Sequence, residues 1–205
     1  MLLGPRRKTW LQTTGIAGIL APLFGFTFVG LAIASYPQFS WVDNALSDLG
    51  VVPGTTSTLF NFGLYLSGLF FFIFSAGLFT YLGDRILGKI GSAIFVLASL
   101  SLEGIGTFTE NSPPYHFIFS VAFFTLMPIA LLLIMGHYAV SRQKRMTVFT
   151  LSVAVAAALP WVLLFLFPYA PGVAIPELIS ALAGATWVVF LGYKMIREAS
   201  DSKKV

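Results

Sequence analysis

The sequence has no cysteine, which excludes disulfides, thiolate metal sites and a cysteine nucleophile. It is also poor in charge. Asp, Glu, Lys and Arg make up 10% of its 205 residues, against roughly 25% in a typical soluble domain. So few charges cannot cover the surface of a soluble fold of this length, and a hydrocarbon solvent removes that requirement. Hydrophobic residues reach 57%, and they are gathered into long runs. No internal repeat, low-complexity tract or long linker divides them; only the first few residues and the tail from about Ser200 read as irregular. The composition therefore implies a polytopic membrane protein.

About 20 apolar residues carry a helix across the hydrocarbon core. Six stretches meet that length, at about 11–34, 59–82, 86–108, 115–139, 147–168 and 174–196. Pro37, Pro53-Gly54, Pro113-Pro114 and the segment from Pro168 to Gly172 fall between them, while Pro128 and Pro160 fall inside spans. A bundle tolerates such interior prolines because neighbouring helices re-satisfy the freed carbonyls. The expected fold is all-α, a single bundle of six transmembrane helices over residues 1–205.

Lysine and arginine are missing from alternate loops, and this asymmetry sets the orientation. Arg6, Arg7 and Lys8 precede span one; Arg85 and Lys89 separate spans two and three. Arg142, Lys144 and Arg145 separate four and five; Lys194, Arg197, Lys203 and Lys204 follow span six. All 12 basic residues thus share one side, which the positive-inside rule makes the cytoplasm. The expectation is a multi-pass protein of the cell membrane with both termini cytoplasmic. These clusters read as topology signals in contact with membrane lipids, not as a nucleic-acid-binding stripe, despite a net charge of +4. Arg6-Arg7-Lys8 followed by Ala32-Ile33-Ala34 also resembles a signal peptide. The apolar run is longer than the roughly 7–15 residues of a signal core, so the first span is expected to be retained.

The opposite, outer face has no fixed positive charge but holds Asp43, Asp48, Glu103, Glu110 and Glu177, with Asn44, Ser47, Asn61, Asn111 and His116. Carboxylates brought together there need a proton, a cation or hydrogen-bond donors. Glu103 lies within span three, where an ionisable group should face the bundle interior or a wet cavity. It would either bind a cation, proton or polar ligand, or staple helices as a hydrogen-bonded acid. Glu110 would share its face if the helix continued two further turns. Phe39, Trp41, Val42, Leu46 and Leu49 have the spacing of a short amphipathic helix, on which Asp43 and Ser47 would share a face. Alternatively, the first outer loop is a lid with Asp48 as a capping acceptor. His116, at the start of span four, could serve as a base or metal ligand beside Glu110 or Asp48. His137 reads as interfacial, and Glu177 as a carboxylate favoured by the first turn of span six.

Asn44-Ala-Leu-Ser-Asp-Leu-Gly50, Gly104-Ile-Gly-Thr-Phe-Thr-Glu110 leading to His116 and Phe123-Phe124, and Pro176-Glu177 carry a resemblance over nearly the whole chain. The sequence resembles the prokaryotic integral membrane proteins of domain-of-unknown-function family 998. That resemblance implies that Ser47, Asp48, Glu110 and His116 form one site, without implying an activity. The Ser47-Asp48-Leu49-Gly50 element, followed by Pro53, is also similar to the eukaryotic Frag/DRAM/Sfk-like six-span proteins, linked to lipid-anchor remodelling and autophagy. Membrane hydrolases that hold zinc with three histidines do not match, because the chain has only 2 histidines.

Two functions fit the outer cluster. The first is binding of a lipid, small polar ligand or cation in an outward-facing pocket built from Asp43, Asn44, Asp48, Glu103, Glu110, Asn111, His116 and Glu177. The second is hydrolysis or transfer at lipid headgroups by Ser47, Asp48, Glu110 and His116, with Asp48, Glu110 and His116 as ligands for a divalent cation. A small transporter or channel fits less well, since buried ionisable groups are scarce on the cytoplasmic half and no matched pair of broken helices marks an inverted repeat.

Overall fold

The computed structural model of the chain describes residues 4–201. Its helices are α1 (Pro5–Ala34), α2 (Thr55–Leu82), α3 (Ile86–Thr107), α4 (Tyr115–Val140), α5 (Lys144–Leu166) and α6 (Ala174–Asp201). All 6 are long and apolar enough to cross a membrane. Each packs on its neighbours in the chain, and α6 returns to α1, so the helices close into a sequential antiparallel ring.

Several helices outrun their apolar stretches. α1 takes in Arg6, Arg7 and Lys8, and α6 continues through Ser200, where an irregular tail was expected. Helical hydrogen bonding does not stop at the edge of the hydrocarbon, and long basic side chains extend from it toward water. Lys203 and Lys204 lie outside the described residues.

The core is aromatic and tightly packed. Trp187 is fully buried, stacked on Phe95 at 5.2 Å and edge-on to Phe74 at 6.3 Å. Its indole N–H donates to Thr150 Oγ1 at 3.0 Å, which ties α6 to α5 and satisfies a polar atom with no access to water. α1 and α6 approach most closely at Gly15 and Gly192, where a Cβ on either would lie 2.6 Å from the other's carbonyl oxygen. Small residues at such crossings bring helix backbones together in lipid, where packing replaces the hydrophobic drive.

The described basic residues gather at one end of the ring, with Asp84, Glu198 and Asp201. Arg7 donates to the Thr80 carbonyl at 3.1 Å, and Lys194 donates to both the Tyr81 hydroxyl at 2.8 Å and Glu198 at 2.6 Å. In the α2–α3 turn a hydrogen bond from Lys89, at 2.9 Å, holds the Asp84 carboxyl below its usual range. His137, in the last turn of α4, is buried between helices: it is 6% exposed, with its ring against Gly88 and Tyr138. The absent Cβ of Gly88 leaves room for that ring between α3 and α4.

The other end is acidic and is covered by the segment between α1 and α2. No amphipathic helix forms there. The chain makes turns through 37–43 and then a 3-10 helix, Leu46–Val51. Its apolar residues do not follow a helical periodicity: Leu49 is fully buried in a small cluster with Val29, Ala32 and Phe60, while Trp41 and Val42 are exposed.

Candidate functional site

The segment over the acidic end is pinned to four other parts of the chain. Gly172 N donates to Val42 O at 2.8 Å and Ala174 N to Asn44 O at 2.9 Å, joining it to the α5–α6 loop. Asn61 Nδ2 of α2 donates to Gly50 O at 2.9 Å. Leu46 N donates to Glu177 Oε2 at 2.6 Å, and Ser47 Oγ donates to Glu110 Oε1 at 2.7 Å. The segment is thus a lid, with its backbone polar groups paired to the elements beneath it.

These bonds sort the expected site residues into two groups. Asp48 works locally: its Oδ2 accepts from Asn44 Nδ2 at 2.7 Å and from Ala45 N at 3.0 Å, capping the 3-10 helix. Asp43 closes a turn with Ser40, whose hydroxyl donates to Asp43 Oδ2 at 2.6 Å. Asn44 Oδ1 accepts from Ser40 N at 2.8 Å. Asn111 is exposed in the α3–α4 loop.

Ser47, Glu110 and His116 do come together. His116 Nδ1 lies 2.7 Å from the Phe108 carbonyl. A carbonyl only accepts, so Nδ1 carries a proton and Nε2 is turned toward the cluster. Nε2 lies 4.0 Å from Glu110 Oε1 and 3.4 Å from Ser120 Oγ. Ser120 is one turn beyond His116 on α4, a spacing legible in the sequence but not singled out there.

Glu103 stands apart. Its main chain and side-chain stem pack over Gly68 of α2, with Gly68's position leaving no space for a Cβ. It does not share a face with Glu110, because α3 ends at Thr107 and Glu110 sits in the following loop. Phe108 N closes the helix on Gly104 O at 2.8 Å, and the chain then turns toward Pro113-Pro114. Among the described residues no three His, Cys, Asp or Glu side chains converge on a common metal position. Asp48, Glu110 and His116 are therefore not a preformed ligand set.

Two cavities reach this cluster. One, of about 770 Å³, lies between α4 and α5, with Phe117, Val121, Trp161 and Val162 in its walls and Glu110 and His116 at its polar end. The second, of about 140 Å³, runs inside the ring past Pro22, Phe26, Phe71 and Met127. Both are mostly apolar, and Ser47, Ser120, Phe124 and Glu177 line both. Glu177 is only 7% exposed. Sequence reasoning placed Glu177 at a helix start, but not between cavities. It gave Phe124 only as part of the family-like pattern and missed Trp161, whose ring packs 4.8 Å from that of Phe124 in the wall. The indole N–H of Trp161 is buried and has no hydrogen-bond partner among the described residues.

No curated protein and no solved structure matches the chain. The model of the family described as "Protein of unknown function (DUF998)" matches residues 19–194, which include every site residue named above. None of these comparisons supports the expected similarity to Frag/DRAM/Sfk-like proteins. The chain is a six-helix, multi-pass membrane protein and belongs to the DUF998 family.

Proposed function

We propose that this protein binds an amphipathic membrane ligand at its acidic end, with the chain of the ligand in the apolar cavities and its polar group at Ser47, Glu110, His116 and Glu177. The observation that carries this reading is the shared wall. Two mostly apolar cavities meet at a buried carboxylate and two hydroxyls. The larger, at about 770 Å³, falls in the roughly 300–1,000 Å³ range of small-molecule sites. Its position between α4 and α5 lets a membrane component enter from the side. The distribution of basic residues favours an outward-facing acidic end in the cell membrane, with cytoplasmic termini. The motif similarity to proteins linked to lipid-anchor remodelling points to the same ligand class.

A second reading rests on one bond. Ser47 Oγ already donates to Glu110 Oε1 at 2.7 Å, the arrangement a general base needs toward a hydroxyl nucleophile, and His116 is within 4.0 Å of the same oxygen. Hydrolysis or transfer at a lipid headgroup would use that pair.

Native mass spectrometry of the detergent-purified protein tests the binding reading. A co-purifying lipid-mass adduct is expected. Ala158→Phe and Ala181→Phe, which narrow the two cavities, should each reduce its occupancy. A wild-type protein free of adducts, or adducts indifferent to both substitutions, defeats the reading. Turnover of the adduct in proteoliposomes that is lost in Ser47→Ala while binding persists would favour the enzymatic reading.

A further inference from the structure

Resting on the binding reading above, we infer that the ligand's polar group is a cation, and that the site takes a long-chain amine whose ammonium meets the free oxygen of Glu177.

The argument begins with which carboxylates at the acidic end remain unmatched. Asp43 accepts from Ser40, and Asp48 accepts from two N–H groups; neither lines a cavity. Glu110 has Ser47 as a donor at 2.7 Å and His116 Nε2 at 4.0 Å, so a basic group of the protein is already beside it. Its side chain is also 32% exposed, which leaves water as a further partner. Glu177 has no basic side chain paired with it among the described residues. It is 7% exposed. Its Oε2 accepts from Leu46 N at 2.6 Å, and its Oε1 receives no hydrogen bond from the described residues.

A carboxylate oxygen left without a donor in an apolar wall is costly unless a proton or a cation meets it. Among the described residues no lysine or arginine supplies such a cation. Every described lysine and arginine lies at the opposite end of the ring, and none lines either cavity. This oxygen is not part of a surface acidic patch; it belongs to a buried side chain in the wall between two apolar cavities. The space around it is shaped for a chain, and the group beside it is a carboxyl, which an amine can deprotonate and pair with. An anionic headgroup such as a phosphate or carboxylate would add repulsion to Glu177 and Glu110, with no lysine or arginine in either cavity wall to offset it and His116 already beside Glu110. An ammonium would supply the missing charge and donate directly to Oε1. The Phe124 and Trp161 rings in the same wall suit a cation as well, since aromatic faces attract it.

The test uses the full chain in a neutral detergent and three probes with the same chain: octadecylamine, octadecanol and octadecanoate. Native mass spectrometry of an equimolar mixture reads their relative occupancy. The amine should exceed each of the others by about tenfold, the ratio expected for a charge-assisted hydrogen bond in a partly desolvated site. In Glu177→Gln, which keeps an acceptor for Leu46 N but removes the charge, that preference should fall to within about twofold. Glu177→Asp, which keeps the charge, should retain more of it than Glu177→Gln. If none of the three binds, the binding reading itself fails. If octadecanol or octadecanoate binds as well as the amine, binding stands and the cationic assignment is overturned. An amine preference that survives in folded Glu177→Gln also overturns it. Should Glu177→Gln not fold, the wild-type comparison decides alone.

Discussion

Glu177, in the first turn of α6, accepts a hydrogen bond at 2.6 Å from the backbone amide of Leu46, 131 residues earlier in the chain. The amide is the first of the 3-10 helix over the acidic end, so one side chain holds the lid against the bundle. A carboxylate is matched to both partners, the orphan N–H of a helix start and the positive end of its own helix. The same residue thereby separates two cavities and anchors their cover.

Substitution at this position should divide by what is removed. Glu177→Gln keeps an acceptor for Leu46 N and should lower stability by less than about 1 kcal/mol. Glu177→Ala leaves a buried N–H unsatisfied and opens space in the wall, at a cost of about 1–3 kcal/mol. Thermal unfolding in detergent, followed by tryptophan fluorescence, should rank the proteins wild type, Gln, Ala. Equal midpoints for Gln and Ala would show that the Leu46 bond contributes nothing to the fold.

Gly172 should be nearly as sensitive, for a steric reason. A Cβ there would lie 2.5 Å from the Asp43 carbonyl carbon and 2.6 Å from Asn44 N, both backbone atoms that cannot rotate away. Gly172→Ala must therefore lift the α5–α6 loop from the lid, breaking the Gly172–Val42 and Ala174–Asn44 bonds together. A loss of about 1–3 kcal/mol is expected, in the range of overpacked cores. Limited proteolysis should then cut in 37–45 at a protease concentration that leaves wild type intact. An unchanged cleavage pattern would count against the lid being held at this point.

The six helices were legible because hydrocarbon imposes one demand on every span: length and apolarity, which composition records directly. The lid was not. Phe39, Trp41, Leu46 and Leu49 have helical spacing, yet the segment is held by backbone bonds to Glu177, Asn61 and the α5–α6 loop, which no local pattern records. The Ser47, Glu110 and His116 grouping was partly legible, since all three are polar residues of one end and carry the family-like motifs. Asp48 was legible as a cap, and Glu103 with Glu110 misled because the face-sharing argument needed α3 to run almost one turn further than it does. A pocket at the acidic end was expected from its polar residues, but the apolar walls and volumes of the cavities could not be read. They are gaps between helices, and a linear pattern carries no record of unfilled volume.

Orientation can be read with the thiol chemistry that the chain lacks. With no native cysteine, Asn111→Cys in the α3–α4 loop and Gln143→Cys in the α4–α5 turn are each the only reactive site in their variant. Both positions are exposed. A membrane-impermeant maleimide should label Asn111→Cys on intact cells, and Gln143→Cys only after permeabilisation. The reverse pattern would place the acidic end in the cytoplasm and reverse the leaflet from which a ligand enters between α4 and α5.

Asp48 separates capping from ligand chemistry. Its Oδ2 takes two N–H donors, from Asn44 and Ala45, and it lines neither cavity. A capping residue acts on stability, so Asp48→Ala should cost about 1 kcal/mol, in line with other helix caps. Asp48→Asn, which keeps an oxygen acceptor, should cost less. Neither should change amphiphile occupancy in native mass spectra recorded well below the unfolding midpoint, because the side chain does not reach the cavity wall. Glu177→Gln should show the converse, a small stability change with altered selectivity. If instead Asp48→Asn keeps its stability and loses the bound ligand, then Asp48 contacts the ligand directly. The lid would in that case have to open to expose it, and Asp48 would have a second role besides the cap.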